Sequence, residues 1–236
     1  MPAVTHLCPS PTRVAALACG GVLAAVTAFG SPAGATAVEA CGKAGYSYAG
    51  FQSAGAAHGV RATLAALASP QVRNGHVAAW VGVGGVGAGP TGRDQWLQVG
   101  LNAFPGTGSN LYYEVSRGGT PSYHELAAGV EAGTRHRVAV LEVAARPGWW
   151  RVWLDARPVS RPIHLPGSSG RFAPIATAEA WDGGTRVCNR FAYRFDRLAV
   201  AGNRGGTWRR FAWGQRFQDR GYRLTRGRGS FVAAVA

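Results

Sequence analysis

From Val60 onward, short apolar or aromatic runs recur between clusters of Gly, Pro, Asn and Ser, and apolar residues rarely return every three or four positions. A period near two without a helical period marks an antiparallel sandwich or barrel. The pattern predicts strands over His76–Gly84, Gln95–Leu101, Asn110–Ser116, Arg135–Ala145, Trp149–Asp155, Phe172–Trp181 and Phe191–Ala201. Arg146-Pro147-Gly148 predicts a tight turn, and Arg157-Pro158 and Arg161-Pro162, which remove ladder donors, predict an edge or a loop. Residues Ala54–Ser69 have a helical composition, but Gly55 and Gly59 weaken a helix, so a strand or irregular lead-in is expected. Neither a linker nor an internal repeat divides the chain, and about 200 residues after the leader described next suit one domain, 38–236.

Residues 1–37 have the layout of a secretory leader: Arg13, an apolar run from Val14 to Phe29, then small residues up to Ala35 and Ala37. The run of sixteen is shorter than the roughly 20 residues a membrane-spanning helix needs, and no later run is longer. An exported, extracellular protein without a transmembrane segment is expected. Removal of the leader leaves Cys41 and Cys188, and an even pair in an oxidising compartment predicts a disulfide. Closing so long a loop stabilises by about 4–5 kcal/mol on the chain-entropy account.

The net charge is +14, carried almost wholly by arginine, since Lys43 is the single lysine. Such a balance favours anionic partners, among them cell-envelope polymers, although an Arg-, Ala- and Gly-rich codon bias produces the same composition. After Gly202, eight arginines alternate with Trp208, Phe211, Trp213, Phe217 and Tyr222. The expectation for about 202–236 is an Arg-rich C-terminal hairpin with aromatics inward and arginines outward. Single-stranded nucleic acid is held by a similar mixture, but no nucleic-acid module accompanies it, and that partner is disfavoured.

Gly82-Val83-Gly84-Gly85-Val86-Gly87 has dinucleotide-loop spacing, yet the chain continues through Ala88-Gly89-Pro90-Thr91-Gly92 into another strand instead of a helix, so a hairpin connection is expected. His58, His76, His124, His136 and His164 show no metal-ligand spacing with one another or with cysteine, and no serine lies in a nucleophile-elbow context. No metal is expected. Strand alternation places Trp96, Gln98 and Gly100 on one face, and Ile175, Thr177, Glu179 and Trp181 on another, with Glu179 packed against Trp181. Tyr112 and Glu114 share a face of a third strand. If these faces belong to one sheet, a carboxylate and an amide meet among tryptophans and can activate water: Glu179 as base, Gln98 as donor to an oxyanion. Periodicity alone favours reading Gln98 and Glu179 as ordinary solvent-facing strand residues on a partly exposed face.

The ordered set Tyr48-Ala49-Gly50, Trp80-Val81-Gly82-Val83, Leu97-Gln98-Val99-Gly100, Tyr112-Tyr113-Glu114 and Ala178-Glu179 resembles the glutamic peptidases called eqolisins, over roughly Tyr48 to Val200. The resemblance implies an all-β, concanavalin A-like sandwich of two antiparallel sheets, of jelly-roll type. It also implies extracellular proteolysis at acidic pH without a cofactor, acting on a polypeptide substrate; a monomer is expected. Gln98 and Glu179 match the catalytic pair, Trp80 a tryptophan lining the cleft, and Glu114 an acidic residue near it; Trp96, Tyr112 and Trp181 are further candidates for binding substrate. The chain departs from the pattern at Gly84 and Asn102, where acidic residues are usual, and in Glu179-Ala180-Trp181, which sets its tryptophan one position late. A non-catalytic carbohydrate- or envelope-binding module on the same sandwich is the alternative, with Trp80, Trp96 and Trp181 stacking on sugar rings and the arginines holding anionic polymer.

Overall fold

The computed structural model describes residues 45–184 and 187–235. The expected leader, and Cys41 of the expected Cys41–Cys188 bond, lie outside the described residues. Among those described, sixteen strands run in chain order: β1 Tyr46–Ser53, β2 Gly59–Ala66, β3 His76–Gly85, β4 Gln95–Ala103, β5 Ser109–Arg117, β6 Ser122–Val130, β7 His136–Glu142, β8 Trp149–Leu154, β9 Arg157–Pro158, β10 Ile163–His164, β11 Ile175–Trp181, β12 Ala192–Ala201, β13 Trp208–Arg210, β14 Trp213–Gln218, β15 Tyr222–Arg226 and β16 Phe231–Val235. One three-residue 3-10 helix, Pro90–Gly92, lies between β3 and β4.

The strands form two antiparallel sheets. The seven-stranded sheet has the order β14-β1-β11-β3-β4-β5-β6; the nine-stranded sheet has the order β10-β8-β7-β2-β12-β16-β15, with β13 added to β12 and β9 to β8. Alternation decides which side of each strand faces the other sheet. Leu97, Val99 and Leu101 on β4 and Val77, Ala79 and Val81 on β3 are fully buried, as are Val60 and Leu64 on β2 and Val138 and Val140 on β7. All belong to one core between the sheets. A fully buried Leu or Val of this kind stabilises by about 1.5–3 kcal/mol, so the inward rows hold the sandwich together.

The tail differs from the expected hairpin. Only β15 and β16 pair as one; before them β13 joins β12 in one sheet and β14 joins β1 in the other. Phe211, between them, is buried in the core and packs edge-on against Trp213. The glycine-rich loop connects β3 to β4 as a hairpin whose strands pair antiparallel, and it leads through the short 3-10 turn into a strand instead of an α-helix. Arg146-Pro147-Gly148 turns β7 into β8, with Gly148 at φ +74° donating its N–H to the buried Glu142 carboxylate at 2.6 Å. His58 Nδ1 lies 2.6 Å from the other oxygen of Glu142, which gives that inward carboxylate two partners.

Candidate active site

The seven-stranded sheet turns its second face away from the core, and the strand register arranges that face in rows. One row runs Tyr48, Glu179, Ala78, Asn102; the next Gly50, Thr177, Trp80, Gly100, Tyr112; the third Ile175, Gly82, Gln98, Glu114, Tyr123. Glu179, Trp80 and Gln98 therefore lie on one diagonal, each a strand and a row from the next. Same-face diagonal neighbours are about 7–8 Å apart at Cα, within reach of long side chains. The register thus brings together Gln98, Glu179, Trp80, Tyr112 and Glu114, with Trp96 one row beyond Gln98 and Trp181 one row beyond Glu179.

Gly100 gives the row of Trp80 and Tyr112 its open floor, because a Cβ there would lie 1.9 Å from the Ala79 carbonyl oxygen. Gly84 explains one missing acid. It adopts φ +86°, and an added Cβ would stand 2.0 Å from the Gln95 carbonyl oxygen, so the strand geometry rejects an aspartate at this position. Asn102, the other departure, faces the same side and donates from Nδ2 to Tyr123 Oη at 3.1 Å.

Each functional side chain is held by a neighbour. Trp80 Nε1 donates to Glu179 Oε2 at 2.8 Å, and His76 Nε2 lies 3.4 Å from Glu179 Oε1. Gln98 Nε2 donates to Tyr112 Oη at 3.2 Å, and Trp96 Nε1 donates to Glu114 Oε1 at 3.0 Å. The face is partly exposed as expected, with Trp96, Tyr48 and Glu114 half-buried and Tyr123 exposed, but Gln98, 8 % exposed, and Glu179, 6 %, are themselves buried, so that each of their hydrogen bonds counts for more. Trp181 is 36 % exposed at the rim, 6.2 Å from the Tyr46 ring and 5.7 Å from the His76 ring, and the indole that binds the carboxylate is Trp80.

Burial is the main influence on the site's titrating groups, with the Glu179 charge second for the tyrosines. Together they push the Tyr46 phenol up to about 12 and raise Tyr48 and Tyr112 further, so all three remain O–H donors under any physiological condition. Burial also raises the Glu114 carboxyl, with the Glu179 charge adding to the effect and the Trp96 hydrogen bond and His76 opposing it. Because Tyr112 accepts from Gln98, its own hydrogen is left to donate into the same region.

His76, Tyr46 and Tyr48 were not among the expected site residues. His76 was legible as the first residue of the predicted strand, two and four positions before Ala78 and Trp80 on the same face; Tyr48 stood in the resemblance without a role. Among the described residues, no group of three or more His, Cys, Asp or Glu is placed to hold a metal ion, and no helix is long and apolar enough to cross a membrane.

No protein-family model and no curated protein matches the chain. Solved structures do. A scytalidoglutamic peptidase with a transition state analog inhibitor superposes with a TM-score of 0.55 and 14 % identity, over 83 % of this chain and 100 % of that one. The same peptidase with a peptide-based transition state analog gives 0.54 and 13 %, again over 83 % and 100 %. SCP-B, a member of the eqolisin family of peptidases in complex with the tripeptide Ala-Ile-His, gives 0.52 and 15 % with the same coverage. At such identities the likeness is one of fold, and the fold is the concanavalin A-like sandwich of the glutamic peptidases.

Proposed function

We propose that this protein is an exported, eqolisin-like endopeptidase in which Glu179 and Gln98 activate water, with residues 1–37 removed and Cys41 joined to Cys188. The observation that carries the reading is the buried diagonal of Glu179, Trp80 and Gln98, on a fold shared with peptidases whose structures hold peptide-based ligands. Glu179 accepts a proton from a water whose oxygen attacks the scissile carbonyl carbon. The oxyanion that forms takes a hydrogen bond from the Gln98 amide. Collapse of the tetrahedral species breaks the C–N bond, and Glu179 returns the proton to the departing nitrogen. Trp80 fixes the carboxylate and Tyr112 fixes the amide, so neither group has to reorganise as charge develops.

Cleavage of a denatured protein at acidic pH tests the proposal. Glu179→Gln and Gln98→Ala are each expected to lower kcat at least roughly a hundredfold, the usual contribution of a general base or an oxyanion donor, with the fold unchanged by circular dichroism. Undiminished cleavage by both variants would overturn it.

One observation favours a second reading, a carbohydrate- or envelope-binding module. Tyr46, Trp181, Phe104 and Tyr123 are all more than a third exposed, and ring contacts near 6 Å link them around His76 and to one another, an aromatic rim suited to sugar rings. Retention on cell-wall polysaccharide, with no cleavage at either acidic or neutral pH, would select it.

A further inference from the structure

We propose that the outer face of the nine-stranded sheet binds a linear chain of phosphate groups without aromatic bases, in the groove lined by Arg61, Arg197, Arg209 and Arg228. This groove encloses about 610 Å³, and Asp196 is the single acidic residue among the residues lining it. Asp196 is already paired with Arg135 at 2.8 Å. The remaining arginines face an open channel that crosses β2, β12, β13 and the turn between β15 and β16. Guanidinium groups keep their charge at all working pH values and meet phosphate oxygens two at a time, whereas an open channel grips an extended polymer better than a small ligand.

The backbone presents one of these arginines at a cost. On β12, Tyr193 and Phe195 point into the core, but so do Leu198 and Val200, because the register shifts between Asp196 and Ala199. Arg197 is part of that bulge. It adopts φ +52°, a conformation that costs a non-glycine residue about 1–2 kcal/mol, and its side chain is exposed. Beyond the bulge, the register aligns Arg61, Ala199 and Arg210 in one row, with the small alanine as floor between two guanidinium walls. Burial and the neighbouring Arg137 charge lower the pKa of Arg61, a crowding of like charge that a bound polyanion relieves.

A ligand without bases follows from the aromatics. Stacking a base requires a free ring, and the one aromatic residue in the groove wall, Trp208, has the Arg61 guanidinium over its ring at 4.5 Å.

The test titrates the protein with long-chain inorganic polyphosphate, with poly(glycerol phosphate) and with single-stranded DNA of equal charge, across a range of salt. At least one base-free chain is expected to bind, with affinity falling as salt rises, and the tighter of the two identifies the source. Combined Arg197→Gln, Arg209→Gln and Arg228→Gln should weaken that binding at least roughly tenfold and reduce the slope of log affinity against log salt by about 2. Peptide cleavage should be unchanged, because none of these residues touches the aromatic face. Arg197→Gly separates strain from function: it should raise the thermal midpoint and still weaken binding. No binding to either base-free chain, tighter binding to DNA, or unaltered affinity in the triple variant would each overturn the proposal.

Discussion

The outer faces of the two sheets use the same strand geometry to opposite ends, and two residues with positive φ show how. Gly84 on β3 lies at φ +86° beside Trp96, with no space for a side chain. Arg197 on β12 lies at φ +52° and projects its side chain into solvent. On the seven-stranded sheet, the irregular backbone leaves no room for a side chain in the row of Trp96, next to that of Gln98; on the nine-stranded sheet it sets an exposed Arg197 in the groove with Arg209 and Arg228. Glu179 is buried and Glu114 half-buried, each hydrogen-bonded by an indole, while most of the guanidiniums of the other face remain exposed and crowded. The net charge of +14 belongs to the whole chain, but its excess of arginine is visible in the groove of the second face, where six arginines meet one aspartate.

The largest expected effect breaks the contrast at Gly84. Restoring the acid that eqolisins usually carry, Gly84→Asp, places a Cβ 2.0 Å from the Gln95 carbonyl in a conformation L residues rarely adopt, and should cost about 3 kcal/mol of stability. Chemical denaturation measures this directly. A variant as stable as the parent would mean that the strand tolerates the acid and that its absence has a functional cause.

A smaller effect sharpens the division at Tyr112. Tyr112→Phe removes the oxygen that accepts from Gln98 Nε2 and keeps the ring that stacks on Tyr123 at 5.5 Å. With the amide free to rotate, kcat is expected to fall roughly tenfold and KM to change little, the pattern of an interaction felt in the transition state. Equal losses in kcat for Tyr112→Phe and for the arginine variants of the other sheet would show that the two faces are coupled.

How far this contrast was legible in the sequence depends on the periodicity of each strand. Leu97, Val99 and Leu101 alternate cleanly with Trp96, Gln98 and Gly100, so the strand and its inward face were readable. The ordered resemblance then brought Gln98 and Glu179 to one site, where the structure places them two strands apart. β6 was missed because Ser122–Val130 is exposed along most of its length and only Leu126 and Val130 reach the core, too short an alternation to stand out beside Ser122, His124 and Glu125. The arginine groove was hidden for another reason: Arg61, Arg197, Arg209 and Arg228 are far apart in the chain, and a bulge that shifts parity after Phe195 cannot be inferred from alternation. The hydrogen bond from Trp80 to Glu179 was hidden for a related reason, since the two are 99 residues apart and meet only through the pairing of β3 with β11.

The smallest effect separates the faces by their response to pH. Burial holds the Glu114 carboxyl above its ordinary range, so between the unfolded and folded pKa values the native state binds more protons than the unfolded chain. Stability attributable to Glu114 must therefore fall as pH rises through that window and return on acidification. Glu114→Gln can still accept the Trp96 hydrogen bond and carries no charge to bury. Its thermal midpoint should exceed that of the parent near neutral pH, and the gap should close as pH drops below about 4.3, where the unfolded carboxyl is protonated too. Arginine substitutions on the opposite sheet should show no such closing gap, because guanidinium does not titrate there. A pH-independent gap for Glu114→Gln would mean that Glu114 ionises as freely in the fold as in water, and the contrast between partly buried carboxylates on one face and exposed arginines on the other would lose its electrostatic basis.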